Sequence, residues 1–389
     1  MLNLVCQIIS EIKKTLKKKK SGIHEPIFSK KEKNYLKDCI NKTSVSSIGL
    51  KSNSYSKKFI SKLKSITKSK YIVLTNTGSS ALHTAFVVSG LRENYEILMP
   101  SFNYISNANS LLLCKGIPHF VEIEESSLGI DALKLERYIL KISIFKNGKL
   151  YNKKTKNRIY GLQILHTYGM PSNIDQLVKF SKKFKLFIIE DSAEALGSFY
   201  KEKHVGTFGD ISVLSFNGNK IITTGMGGAI MTNNPILYKK ATQVVQLSKK
   251  DHKWKYEYAD IGFNYRMPNI NAAIGLAQIE KLKIFLKLKR KLSIRYKKCF
   301  IKFSNELKFF EDRVNCKSNY WLNTIILDKK NQKFRDKILK ISNQRGLAMR
   351  GPWQLLHKAP HLKKFPKMNL KVSENLSKRI INLPSSANL

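Results

Sequence analysis

From about residue 70 onward, short apolar runs alternate with helical stretches, and this pattern constrains the chain more than any other feature. The runs are Tyr71 to Leu74, Glu96 to Met99, Phe120 to Ile123, Gly161 to Leu165, Leu186 to Ile189, Val213 to Phe216 and Ala229 to Thr232. Runs of that length bounded by turn residues read as strands. Strands that alternate with helices require a mostly parallel sheet with helices on both faces. In such sheets ligands sit beyond the carboxyl ends of the strands. The polar residues that end these runs are therefore the candidate site.

The remaining segments frame that unit. Residues 1–30 read as an amphipathic basic helix or arm, residues 31–285 as a large domain, and residues 286–389 as a smaller α+β domain. In the arm, Leu2, Val5, Ile8, Ile9, Ile12 and Leu16 fall at helical spacing, and Lys17 to Lys20 follow them. A signal peptide would carry its charge first, so the segment reads as a helix packed on the body, with membrane-surface contact the minority reading. Asp131 to about Asn157 reads as a helix plus a Lys/Asn-rich surface loop. Pro268 to Leu292 has the spacing of one long helix. In the smaller domain the pattern predicts a strand over 321–327, a helix over about 332–345 and a closing stretch over 376–383.

The net charge of +44, from 71 Lys and Arg against 27 Asp and Glu, invites a nucleic-acid reading. The excess is mostly lysine spread along the chain, whereas arginine does most bidentate reading of bases and phosphates. No dedicated nucleic-acid or membrane binding is expected, although the charge should steer anionic substrates inward. Five widely spaced cysteines without a CxxC fit a reducing cytoplasm, with neither disulfides nor a metal site.

Four clusters follow strands. Thr77-Gly78-Ser79-Ser80 is a tight turn opening a helix, where free N–H groups and the helix dipole favour phosphate. A plain N-cap role is the simpler account of Ser79. Glu190-Asp191 places two carboxylates at the end of an apolar strand, suited to a buried cation or to capping a helix. Lys220 follows a strand within Ser215-Phe216-Asn217-Gly218-Asn219 and precedes a glycine loop, Gly225-Met226-Gly227-Gly228. One lysine among so many carries little weight, but a lysine in that setting suits covalent bonding to an aldehyde. Gly262 to Pro268 is a polar loop ahead of a helix. Pyridoxal phosphate needs a lysine, an acid for its ring nitrogen, a helix N-terminus for its phosphate and a ring stacked on its face. The four clusters offer that set together.

In these residues the sequence resembles the sugar aminotransferases of the DegT/DnrJ/EryC1/StrS family, which are fold type I enzymes that depend on pyridoxal 5′-phosphate. The resemblance runs from about Ile23 to the C-terminus. It rests on NTGSSALH (Asn76–His83), PSFNYISNAN (Pro100–Asn109), EDSAEALGS (Glu190–Ser198), SFNGNKIITTGMGG (Ser215–Gly228) and GFNYRMPNINAAIGLAQIEKL (Gly262–Leu282). It implies an α/β fold with a large domain of mixed, mostly parallel sheet and a smaller C-terminal domain. Lys220 would carry the cofactor and Asp191 would pair with its ring nitrogen. Ser79, Ser80 and Ser215 would serve the phosphate, Tyr104 would stack on the ring, and Glu194 would line the cofactor site. Asn264 would reach the cofactor of a neighbouring subunit, which implies a homodimer with shared sites. Arg266, Trp353 and His357 are candidate substrate contacts, each with a structural role as an open alternative.

IHEPIFSKKEKNYLKDCI (Ile23–Ile40), VSSIG (Val45–Gly49), CKGIPHFVEIEESSLGID (Cys114–Asp131) and GPWQLLHKAP (Gly351–Pro360) are similar to a narrower subgroup. Its members aminate UDP-linked 4-keto-6-deoxy-hexosamines with glutamate as donor, on routes to nonulosonic acids and other surface sugars. GDP-4-keto-6-deoxy-mannose aminotransferases of the perosamine-synthase type are the alternative. Two positions depart from the common pattern: Met226 stands where Glu or Gly is frequent, and Glu194 where Gln or His is. Related dehydratases replace the lysine with histidine, and Lys220 argues against that reading. A basic binding protein that has lost catalysis is the remaining alternative, and it would hold no cofactor.

Overall fold

Seven of the apolar runs form a single sheet: β1 (Tyr71–Thr75), β2 (Glu96–Pro100), β3 (Ile117–Val121), β4 (Ile159–Leu165), β5 (Phe187–Asp191), β6 (Ile211–Ser215) and β7 (Gly228–Thr232). The computed structural model describes residues 2–16, 18, 20–46, 54–250, 252 and 254–389. Residues 47–49 of the Val45–Gly49 segment, and Lys17 and Lys19, lie outside them.

The sheet runs in the order β1-β7-β6-β5-β4-β2-β3. All neighbours are parallel except β7, which runs antiparallel between β1 and β6. The expected mostly parallel α/β sheet is present. Strand β3 begins earlier than its apolar run, because Pro118 lies inside it. Proline lacks the N–H a central strand must donate, but β3 is an edge strand and tolerates it. Its outer side is covered by a returning segment, with the Phe120 N–H donating to the Pro366 carbonyl and the Met368 N–H to the Phe120 carbonyl. That cover protects an edge that would otherwise invite pairing with another chain.

Six helices matter to the site: α1 (Leu2–Leu16), α2 (Gly78–Val88), α3 (Ile105–Leu113), α4 (Asn269–Glu280), α5 (Leu282–Phe300) and α6 (Lys371–Ser377). The expected single helix from Pro268 to Leu292 is two, which meet at Lys281 (φ −96°, ψ −2°). No proline or glycine marks this break. Lys281 sits where its ammonium reaches Glu32 and the Ile27 carbonyl. The helix expected from Asp131 is present, but the surface loop expected after it is corrected. A helix over Ala132–Ile142 is followed by a hairpin, Ser143–Lys146 with Lys149–Asn152. Asn147 and Gly148 both take positive φ at its turn, as a two-residue hairpin requires.

In the C-terminal part, β8 (Leu307–Phe310), β9 (Asn323–Leu327) and β10 (Ile380–Leu383) form an antiparallel sheet in that order. Residue 286, the expected domain boundary, falls inside α5. The start of α5 packs under the main sheet through Leu282 and Phe285, and its far end packs with α1 through Leu292, Tyr296 and Phe300. Helix α1 buries Val5, Ile8, Ile9, Ile12 and Leu16 in that second core. Five buried aliphatic side chains contribute on the order of 10 kcal/mol before entropy is counted. Among the described residues no helix is long and apolar enough to cross a membrane.

Candidate active site

At the carboxyl ends of β4, β5 and β6, and over the N-terminus of α2, lies a cavity of about 390 Å³. Ser79, Tyr104, Asp191, Glu194, Ser215, Lys220 and Trp353, all singled out in the sequence, line it.

Alternation along a strand separates the two carboxylates that end β5. Successive side chains point to opposite faces, so Asp191 enters the cavity and Glu190 turns away. Glu190 accepts from the N–H groups of Gly206 and Phe208 at 2.8 and 2.6 Å and meets His166 Nε2 at 3.1 Å. Burial alone would raise its pKa. His166 and the glycine N–H groups overcome that and hold it below the usual carboxylate range. Asp191 accepts from the Ala193 N–H at 3.0 Å. Burial raises its pKa, with Ala193, Asn107 and Lys220 opposing. It is a buried acid whose surroundings undersupply positive charge.

Lys220 reaches the same cavity from the loop after β6, with its side chain only 13% exposed. Its Nζ lies 3.4 Å from Glu194 Oε1 and 4.0 Å from the centre of the Trp321 ring. The Trp321 indole N–H donates to the Asn219 carbonyl at 2.7 Å, which ties the lysine loop to the C-terminal part. Glu194 is buried, and burial lifts its pKa to about 7 against the pull of Lys220 and the Tyr168 N–H.

The N-cap of α2 is Thr77, not Ser79. Its hydroxyl oxygen accepts from the Ser80 N–H at 2.9 Å. The N–H groups of Gly78 and Ser79 are thus left at the helix end, where no intrahelical partner exists. Gly78 is needed there, because a Cβ would come within 2.9 Å of the Ser215 Cβ. The two turns that could share an anion are therefore in near contact. Ser80 is placed differently: its hydroxyl pairs with that of Thr77 at 2.8 Å and does not line the cavity.

Three further residues lie away from the cavity in this chain. Asn264 is exposed and bridges to Gln246. Arg266 pairs by backbone with Thr75. His357 is buried between Ser101 Oγ, at 2.6 Å, and Glu374 Oε1, at 3.0 Å. It joins the end of β2 to α6 and packs rather than lining the cavity. Trp353 does line it, in edge contact with Tyr104 at 6.2 Å.

Sequence reasoning passed over Asn107, Trp321 and Arg350, which also line the cavity. Asn107 lies on the inner face of α3, three residues after Tyr104 and so on the same side of the helix, a spacing that could have found it. Trp321 stood at the start of an expected strand and Arg350 in a loop, with no local signal for either.

The amine, the buried acid and the helix end at the strand termini define the class: a fold type I enzyme built around an aldehyde-bearing, phosphorylated ring cofactor. Over residues 26–389 the chain matches, and belongs to, the DegT/DnrJ/EryC1/StrS aminotransferase family. Enzymes of this family depend on pyridoxal phosphate. The chain is 32% identical over 368 residues to a GDP-perosamine synthase of Escherichia coli O157:H7, covering 94% of this chain and 93% of that one. It is 28% identical over 325 residues to a UDP-4-amino-4,6-dideoxy-N-acetyl-beta-L-altrosamine transaminase of Helicobacter pylori, covering 82% of each. Among solved structures, Helicobacter pylori PseC, an aminotransferase involved in the biosynthesis of pseudoaminic acid, superposes with a TM-score of 0.85 at 24% identity, over 95% of both chains.

The cavity fits the family's cofactor on its own chemistry. The undersupplied acid Asp191 suits a cationic ring nitrogen, and the amine of Lys220 suits an aldehyde. The helix end at Gly78 and Ser79, with Ser215 against it, suits a phosphate.

Proposed function

We propose that this aminotransferase transfers the amino group of glutamate to the ketone of a nucleotide-linked 4-keto-6-deoxy sugar, with Lys220 as the residue that bonds the cofactor. The observation that carries this reading is that Lys220, from the loop after β6, and Asp191, at the end of β5, face one cavity with the α2 N-terminus. Ser79, Ser215 and the free N–H groups at Gly78 and Ser79 would hold the phosphate, and Tyr104 would cover the ring. When bound, pyridoxal phosphate supplies an electron-accepting ring that stabilises negative charge on the reacting carbon.

The chain's own groups supply the rest. Asp191 holds positive charge at its carboxylate, since an unpaired acid there is penalised by burial. The Lys220 amine, once free, takes the proton from the donor's nitrogen-bearing carbon. In the second half-reaction it delivers a proton to the sugar's C4 carbon. The aromatic pair Tyr104 and Trp353 narrows the mouth and limits water. Because one amine serves both halves, the donor's keto acid must leave before the sugar enters, which gives ping-pong kinetics. Asn264, exposed and outside its own cavity, is proposed to serve the site of a second copy in a C2 dimer.

The segments at Ile23–Ile40 and Gly351–Pro360 favour a UDP-linked N-acetylhexosamine. The near full-length similarity to a GDP-perosamine synthase supports a second reading, with GDP-4-keto-6-deoxy-mannose as acceptor. A screen of both 4-keto-6-deoxy sugars with glutamate, read as the amino sugar by mass spectrometry, should give product with one of them. Glutamate failing to convert the bound cofactor to its aminated form, or no product with either sugar, would sink the proposal.

A further inference from the structure

Glu194 is buried at the cavity, and the surrounding backbone is built to hold it. Its Oε2 accepts from the Tyr168 N–H at 2.9 Å. Tyr168 presents that N–H from a left-handed conformation, φ +56° and ψ +21°, unusual for an aromatic residue and costing about 1 kcal/mol. Gly169 continues the turn at φ +88°, and a Cβ there would lie 1.9 Å from Asn319 Oδ1. Asn319 in turn donates from Nδ2 to the Glu194 carbonyl at 2.8 Å. Strain concentrated around one side chain is characteristic of functional sites. The second carboxylate oxygen, Oε1, is directed at Lys220 Nζ. The charged groups acting on Glu194 are Lys220, from the loop after β6, and Asp191, from the end of β5. The Tyr168 N–H is the polar group on its third side.

We infer that Glu194 is the proton partner of Lys220: its carboxylate takes a proton from the lysine ammonium when that nitrogen must attack, and returns it when the lysine is released. One N–H bond breaks and one O–H bond forms. The electron pair stays on nitrogen, and nothing is oxidised or reduced. Burial and the neighbouring Asp191 raise the proton affinity of Glu194. An acid titrating near neutrality is best matched to moving protons at that pH. Losing the Lys220 charge on bonding raises the affinity further, so the glutamic acid keeps the proton until the lysine needs it. This inference rests on Lys220 being the cofactor lysine.

The test is the rate of pyridoxal phosphate uptake by cofactor-stripped protein, followed by visible absorbance across pH. Glu194→Gln keeps the size of the side chain and can still accept from the Tyr168 N–H, but it does not titrate. At pH 7 its uptake should be roughly tenfold slower than wild type. Above about pH 9 the two should converge, as solvent base replaces the carboxylate. Glu194→Asp, which keeps a carboxylate, should retain the wild-type shape of the profile. A Glu194→Gln profile that parallels wild type at every pH would overturn the inference, whether or not the absolute rate falls. Wild-type protein that takes up no cofactor, or Lys220→Ala protein that still bonds it in a borohydride-fixable form, would instead overturn the assignment of Lys220, and this inference with it.

Discussion

The two walls of the cavity are built by different means. On the inner side, Asp191 and Ser215 end two neighbouring paired strands of one sheet, and Ser79 and Lys220 follow β1 and β6 within five residues. On the outer side, Tyr104 is 52% exposed and Met226 59% exposed, while Arg350 and Trp353 arrive from a loop more than a hundred residues downstream. In the proposed reading the chemistry is therefore anchored on the sheet, and the sugar is met by side chains that lie outside it. Asp191 and Glu190 repeat the contrast within one strand, with one acid left short of charge for a ligand and its neighbour saturated by the protein.

The largest effect should come from the centre of the inner wall. Lys220→Ala should lower turnover by a factor on the order of 10³ or more. It should also abolish the visible absorbance of the purified protein. Retention of either would break the comparison, because among the described residues no other lysine lines the cavity.

The two acids of β5 should part company under the same substitution. Asp191→Asn should lower kcat by roughly 10². The Asp191 pKa is raised in the folded state, so its ionisation opposes folding and that cost grows as pH climbs through the raised value. Removing it should leave the stability of cofactor-free protein at neutral pH unchanged or higher. Glu190→Gln should instead cost about 3 kcal/mol of stability, since it uncouples His166 and several N–H donors in the interior. The Glu190 pKa is depressed in the fold, so its contribution is present above the ordinary glutamate pKa and disappears as pH falls through the lower folded value. Melting curves against pH should thus have a shallower acid-side slope in Glu190→Gln and not in Asp191→Asn. If both substitutions destabilised equally, the division of labour along β5 would be wrong.

Ser215→Ala sharpens the inner wall further. Losing one hydroxyl toward a phosphate should weaken pyridoxal phosphate binding about tenfold, measured by equilibrium dialysis. Gly78→Ala should be harsher than its size suggests, because the added methyl presses on Ser215.

The same division explains what could be read from the sequence. The seven strands were legible because a strand buried on both faces is an uninterrupted apolar run, and the inner-wall residues were legible because they close those runs. Strand β3 was misplaced by Pro118, where edge position overrides the usual rule. The hairpin at Asn147-Gly148 carried a turn signal that the surrounding lysines and asparagines obscured. The break at Lys281 carried none; the lysine there reaches a residue nearly 250 positions earlier, which no local pattern displays. Ser79 and Thr77 differ by two residues in one polar turn, and only the observed backbone shows which of them caps α2. The cavity faces of Trp321 and Arg350 arise from tertiary contact alone. His357 sat in a segment whose resemblance suggested substrate, yet its partners Ser101 and Glu374 occupy both ring nitrogens.

The smallest effects belong to the outer wall, and there the pattern matters more than the size. Arg350 is held by backbone pairing to Asn382, while its guanidinium makes no ion pair among the described residues. Trp353 packs on Phe102, Tyr168 and Tyr104 and keeps one face toward the cavity. If these groups contact the nucleotide sugar equally in the ground and transition states, truncating them removes uniform binding. That raises KM and leaves kcat largely alone. Arg350→Gln and Trp353→Ala should each raise KM for the sugar about tenfold, equivalent to about 1.4 kcal/mol, with kcat within roughly threefold of wild type. The glutamate half-reaction, measured alone in a stopped-flow instrument, should separate them: an Arg350 that also grips the donor's carboxylate would slow it, whereas Trp353 should leave it unchanged. A fall in kcat as large as that of Asp191→Asn would mean the outer wall takes part in the chemistry, and the two-wall description would fail.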